Sequence, residues 1–121
     1  MGTVELTKDN FDQTVQENQI VLVDFWAAWC GPCRQFAPVF ERAAEEHSDI
    51  VFGKVDTEAQ QELAGAAQIT SIPTLMAFKD QTLVFSQPGA LPGAALEDLI
   101  GQLRELDVEA ARAAAAEERS A

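Results

Sequence analysis

Ile20-Val21-Leu22-Val23-Asp24-Phe25-Trp26-Ala27-Ala28-Trp29-Cys30-Gly31-Pro32-Cys33 is the stretch from which the rest of the chain can be read. From Ile20 to Trp26 it is apolar except at Asp24, the pattern of a strand buried on both faces in a largely parallel sheet. Beyond the second cysteine, Phe36, Val39, Phe40, Ala43 and Ala44 recur every three or four residues, which predicts a helix running toward His47. The cysteines therefore stand where a strand ends and a helix begins. Unpaired N–H groups at a helix start stabilise negative charge, so a thiol there loses its proton more readily. At a spacing of i and i+3 the sulfurs lie within one helical turn, and an intramolecular disulfide is reachable. The stretch reads as a dithiol/disulfide switch.

Upstream, Val4 and Leu6 suggest a short strand, and Phe11 and Val15 an amphipathic helix with Thr7 or Asp9 as its cap. Downstream, Pro38 removes a hydrogen bond from the cysteine-bearing helix and is expected to bend it. Ile50 to Val55 is the next strand, with Lys54 inside it and Asp56 at its end, and Glu58 to Ala67 a short helix. Thr74 to Lys79 and Thr82 to Phe85 read as an antiparallel hairpin around Asp80-Gln81. That turn lacks glycine, which leaves its type open. Leu96, Leu99, Ile100, Leu103 and Leu106 keep one apolar helical face, with Pro92 near its start. After Leu106 the composition turns acidic and alanine-rich, Ala110 to Ala116 being broken only by Arg112. With little of size to bury, this segment either extends the last helix into solvent or frays. The order β-α-β-α-β-α-β-β-α gives an α/β domain with a mixed sheet over residues 1–106, followed by a helical extension or frayed tail over 107–121.

At 121 residues and 47% apolar, the chain suits one globular domain. It has no apolar run near the roughly 20 residues a membrane span needs. The opening Met-Gly-Thr-Val-Glu-Leu shows neither a secretory pattern nor, with Leu6 where Ser or Thr is needed, a myristoylation one, so a cytoplasmic chain is expected. A formal net charge of −12 disfavours nucleic acid and anionic membrane as partners. Two cysteines three positions apart cannot staple a secreted fold. A zinc site usually needs four ligands, and His47 is the only other Cys or His, so no metal is expected. A Cys–His nucleophile would need His47 beside Cys30, and His47 is expected on a solvated helix end. No Gly-x-Gly-x-x-Gly pattern is present, so no bound nucleotide or flavin is expected.

With Asp24, Lys54 and Ile72-Pro73-Thr74 added to the cysteine run, the chain resembles the thioredoxin family over about Val4 to Leu106. The shared run extends from Val23-Asp24-Phe25-Trp26-Ala27 through Trp29 to Cys33. It continues in order with Ala37-Pro38, Val55-Asp56, Pro73-Thr74-Leu75 and Phe78-Lys79. The resemblance implies the thioredoxin fold, a central mixed sheet flanked by helices, and a protein-disulfide reductase. It implies Cys30 as the exposed attacking thiol and Cys33 as the shielded resolving one, consistent with Cys30 at the helix tip and Cys33 one turn inside. It implies electrons from NADPH through thioredoxin reductase, a monomer, and targets such as ribonucleotide reductase, peroxiredoxin and methionine sulfoxide reductase. Gly31-Pro32 between the cysteines points to the reducing end of the family rather than to an oxidant or isomerase. A non-catalytic binding module is disfavoured because both cysteines and Asp24 are intact.

Other positions carry two readings each. Asp24 is either a carboxylate satisfied within the strand or a proton acceptor for Cys33; desolvation would raise its pKa and a nearby Lys54 ammonium would lower it. Lys54 is either an edge lysine or, as the resemblance has it, the partner of Asp24. Pro73 either starts a strand or, as the resemblance implies, follows a cis bond against the dithiol that exposes Ile72 backbone groups to an extended substrate. The resemblance implies that Trp29, Ile72, Gly89 and Ala90 form an apolar docking surface, while Trp26 reads as core. Arg34 after the second cysteine, where the family often has lysine, keeps the positive charge. Thr70-Ser71 before Ile72 departs from the usual pattern and bears on partner preference.

Overall fold

The Ile20–Trp26 run is the centre of the sheet in the computed structural model, which describes residues 2–120 and, of these, all side chains but those of 119 and 120. The elements are β1 (Val4–Glu5), α1 (Phe11–Glu17), β2 (Ile20–Trp26), α2 (Gly31–Glu46), β3 (Val51–Asp56), α3 (Gln61–Ala66), β4 (Thr74–Lys79), β5 (Thr82–Pro88), α4 (Gly93–Glu105) and α5 (Val108–Ser120). They build a five-stranded sheet in the order β1-β3-β2-β4-β5. β1, β3 and β2 are parallel to one another, and β4 and β5 are antiparallel to their neighbours.

Alternation along β2 divides the core. Ile20 and Leu22 face α2 and α4, packing with Phe36, Phe40, Leu96 and Ile100. Val21, Val23 and Phe25 face the other way, with Phe11 of α1 and Leu63 of α3 packed against their cluster. By the same period, Asp24 follows Ile20 and Leu22 onto the α2 side. Gly53 is buried in β3 because Leu6 lies where its Cβ would stand.

Several boundaries differ from those expected. Neither Thr7 nor Asp9 caps α1; Asn10 holds the cap position, and Thr7 Oγ1 accepts from Asp9 N–H in a turn that precedes the helix. α3 is shorter than the 58–67 pattern because Asp56 Oδ1 accepts the N–H groups of Glu58 and Ala59, holding them in a turn. α2 starts at Gly31 and runs through Pro38, which is exposed at the helix surface. β5 reaches Pro88, past a bulge opposite Ala77/Phe78.

The hairpin turn is of the type I′ kind: Asp80 and Gln81 have φ of 51° and 64°. Side chains pay about 1 kcal/mol or more for that left-handed region. Gln81→Gly is therefore expected to stabilise the protein by about 1 kcal/mol in urea unfolding, even though Gln81 Nε2 loses its bond to the Gln16 carbonyl. A destabilised variant would show that this bond outweighs the backbone strain.

The alanine-rich segment is helical but is not a continuation of α4. The chain turns at Leu106 (φ −66°, ψ 128°), and Asp107 Oδ1 accepts from Ala110 N–H to start α5. Val108 is buried, and Arg112 donates to the Asp80 carbonyl and to Thr82 Oγ1 at the hairpin turn. Lys79 holds the joint from inside. It is 5% exposed, and its Nζ donates to the carbonyls of Leu103, Arg104 and Leu106 at 2.6, 3.2 and 2.9 Å. A cation there meets the negative end of the α4 dipole as well as its unpaired acceptors. Lys79→Met would keep the apolar stem and leave those carbonyls without a donor. A loss of about 3 kcal/mol is expected in urea unfolding; a loss well under about 1 kcal/mol would mean that water serves the carbonyls as well.

Candidate active site

β2 ends at Trp26, and the chain turns through Ala27, Ala28 and Trp29 into the first turn of α2. Cys30 is the N-cap of that helix, with extended backbone (φ −88°, ψ 114°), and its Sγ accepts from Cys33 N–H at 3.2 Å. Pro32 occupies the first turn, where its missing N–H costs no helical bond. Cys30 and Cys33 are joined as a disulfide with Cα atoms 5.2 Å apart. The helix start and the i, i+3 spacing bring the sulfurs together as expected.

One expectation needs correcting. Cys30 is 5% exposed and Cys33 3%, so exposure does not distinguish the two in the disulfide form. Both pack with Ala27 in a small cluster against Trp26 and Ile72. The difference between them is electrostatic: Cys30 Sγ receives a helix N–H, at the end where the backbone dipoles favour negative charge.

Opposite the disulfide, the Ile72–Pro73 bond is cis, and the Ile72 carbonyl oxygen lies 3.7 Å from Cys30 Sγ. Thr74 Oγ1 donates to the Ser71 carbonyl at 2.6 Å, and Gly89 N–H donates to the Pro73 carbonyl at 2.8 Å. The second bond places Gly89 (φ 106°) and the exposed Ala90 beside the proline. Trp29 is 67% exposed, a large apolar surface left in water next to Cys30. A groove of about 200 Å³ runs from Trp29 and Ile72 to Thr57, Ile69, Thr70 and Ser71. Thr57, Ile69 and the groove itself escaped the sequence reading, since no spacing signals a wall assembled from three separate loops.

Asp24 stands in β2, two residues before Trp26, on the side of the sheet that faces α2. It is fully buried, and neither carboxylate oxygen has a hydrogen-bond partner among the described residues. Desolvation pushes its pKa up from 3.8 to about 7, against a smaller lowering by the Lys54 charge. Asp24 and Lys54 are cross-strand neighbours between β2 and β3. No ion pair joins them among the described residues. The Lys54 ammonium lies instead 5.0 Å from the centroid of the Trp26 ring, and acts on Asp24 through space. Trp26 is half-buried, as a residue under the site rather than on its rim.

His47 is remote from the dithiol. It is the C-cap of α2, the full length of that helix from Cys30, about 24 Å. It is half-buried rather than solvated: Nδ1 lies 3.0 Å from Arg104 Nη2, and Nε2 2.8 Å from Glu97 Oε1. Glu46, His47 and Glu97 bring possible ligand atoms within 4.8 Å of one another. Arginine can only donate, so Nδ1 accepts and Nε2 carries the proton toward Glu97. The imidazole thus turns an N–H, not a lone pair, to that cluster.

The chain matches the model of the thioredoxin family over residues 2–102. It is 65% identical over 119 residues to a Streptomyces coelicolor protein provisionally named thioredoxin 2, covering 98% of this chain and 89% of that one. Among solved structures it is similar to a point mutant of a thioredoxin from Halobacterium salinarum, at a TM-score of 0.81 and 36% identity over 88% of this chain and 94% of the other. It is also similar, at a TM-score of 0.75 and 28% identity over 86% and 95%, to a chain from a study of thiol resolution in yeast mitochondrial 1-Cys peroxiredoxin via glutathione/thioredoxin systems.

Proposed function

Because the chain belongs to the thioredoxin family and is a thiol–disulfide oxidoreductase with a redox-active Cys30–Cys33 pair, we propose the following working cycle. In the reduced protein the Cys30 thiolate, held by Cys33 N–H, attacks one sulfur of a substrate disulfide. A mixed disulfide forms, and the first substrate sulfur leaves as a thiolate that takes a proton from water. The Cys33 thiol then gives its proton to Asp24 and attacks Cys30 Sγ. The second substrate sulfur leaves as a thiolate that takes a proton from water, and the Cys30–Cys33 disulfide re-forms. Two electrons pass to the substrate. Asp24 suits the proton step because its carboxyl, raised to about 7, can both take and return a proton near neutral pH. Lys54 keeps it from rising further.

Trp29, Ile72, Pro73, Gly89 and Ala90 receive the substrate as an extended segment, with the Ile72 carbonyl as one anchor for its backbone. Gly31 and Pro32 set the turn between the sulfurs and tune the pair toward reduction. NADPH, through thioredoxin reductase, returns the protein to the dithiol. Its substrates are disulfide-bearing proteins of the peroxiredoxin, ribonucleotide reductase and methionine sulfoxide reductase kinds, and it works as a cytoplasmic monomer. For peroxiredoxin the reading is supported by the yeast structural neighbour.

The observation that carries this reading is the disulfide at the N-terminus of α2, facing the Ile72 carbonyl beside exposed Trp29. The test is reduction of insulin disulfides with NADPH and a bacterial thioredoxin reductase. Catalytic turnover is expected. No turnover here, together with none under dithiothreitol, would overturn the reductase reading.

A further inference from the structure

Arg34 is exposed in the first turns of α2, and its guanidinium folds back across the loop that carries Trp29 and Cys30. Nη1 donates to the Ala28 carbonyl at 2.8 Å, and Nη2 stands 4.0 Å from where a Cβ on Gly31 would be. The first bond fixes the head group and leaves its other N–H groups free to bind. No carboxylate pairs with Arg34 among the described residues, whereas Lys8, Arg104 and Arg112 each have an acidic partner. The remaining docking positions, Trp29, Thr70, Ser71, Ile72, Gly89 and Ala90, are uncharged. The acidic side chains next to the groove, Asp56 and Glu58, flank Thr57, and Asp56 is turned onto the N–H groups of Glu58 and Ala59. A chain with 20 acidic and 8 basic residues thus places an unpaired cation beside its reactive sulfurs.

We propose that Arg34 makes this site selective for disulfides whose attacked cysteine is flanked by an acidic side chain. The inference rests on the oxidoreductase reading above and adds a substrate preference to it. A carboxylate on the residue next to the attacked cysteine meets a guanidinium already oriented by the Ala28 carbonyl, so little side-chain freedom is lost on pairing. The long-range field works the other way, since a net charge of −12 repels an acidic partner. Salt near 0.15 M screens that field beyond about 8 Å and leaves the local pairing.

The test uses two disulfide peptides identical except for Asp or Lys on both sides of the attacked cysteine. Each is reduced in a single turnover by the reduced full chain at 0.15 M salt, and the Asp/Lys rate ratio is read. The ratio removes any general effect of a substitution on Cys30 reactivity or on folding. Arg34→Gln is expected to lower it by about two- to fivefold, the range for an exposed ion pair, and Arg34→Glu to lower it further. Arg34→Lys should retain most of it. Arg42→Gln changes the net charge by the same amount from a position farther along α2, and should leave the ratio unchanged. An unchanged ratio in Arg34→Gln, or an equal fall in Arg42→Gln, would overturn the proposal while leaving the oxidoreductase reading intact. Reduction of neither peptide by the native chain would overturn both.

Discussion

Cys30→Ser is expected to bring insulin reduction to background, a loss of at least about 1,000-fold, and to form no covalent complex with substrate. Cys33→Ser is expected to lose turnover as completely and yet to accumulate a mixed disulfide. The prediction follows from position. Cys30 Sγ is the atom that a helix N–H reaches at 3.2 Å, so its thiolate is stabilised where the Cys33 thiolate has no comparable donor among the described residues. Near-equal burial of the two residues in the disulfide means that access cannot supply the asymmetry there. Thiolate character must. Without Cys33, nothing in the chain can attack the Cys30 sulfur of the mixed disulfide, because there is no third cysteine. Non-reducing electrophoresis and mass measurement after mixing with a disulfide substrate distinguish the variants. Trapping by Cys30→Ser rather than by Cys33→Ser would reverse the assignment.

Much of this site was legible because its signals are local. A buried strand shows itself in seven nearly unbroken apolar residues, and the i, i+3 cysteines at the following helix start announce their chemistry within one turn. The cis Ile72–Pro73 bond and its place opposite Cys30 came from the family resemblance; spacing alone could not bring residues 42 positions apart together. Lys79 shows the reverse case. It reads as the polar end of a strand, while its acceptors are backbone carbonyls 24 to 27 residues later, which leave no mark in side-chain chemistry. The second helix after Leu106 was obscured in the same way. Alanine predicts helicity but not a break, and the break depends on Asp107 as a cap and on burial of Val108. Arg34 was visible as a charge, but its fold-back onto Ala28 depends on the conformation of the loop.

Asp24→Asn is expected to stabilise the protein by about 4 kcal/mol above pH 8 and by close to nothing near pH 4. Folding takes the Asp24 carboxyl out of water without giving its oxygens a donor, and its pKa rises from 3.8 to about 7. Between those values the folded state holds a proton that the unfolded state has released. Stability therefore falls as pH rises through the window, is unaffected by this group below it, and levels off above it. An amide keeps the shape and removes the charge, so the native and variant curves should diverge from pH 4 upward and run parallel beyond about pH 8. Urea unfolding of the oxidised proteins from pH 4 to 9 measures the difference directly. A constant difference across that range would mean that the carboxylate is solvated in the folded protein. The same substitution should slow insulin reduction by roughly 100-fold, since the resolving thiol would lose its proposed proton acceptor. Stability and activity would then move in opposite directions at one residue. An apolar or amide side chain would serve the β2 core better, and neither could carry out the proton exchange proposed for Asp24, so a fall in activity together with a gain in stability is the joint result that the proposed role requires.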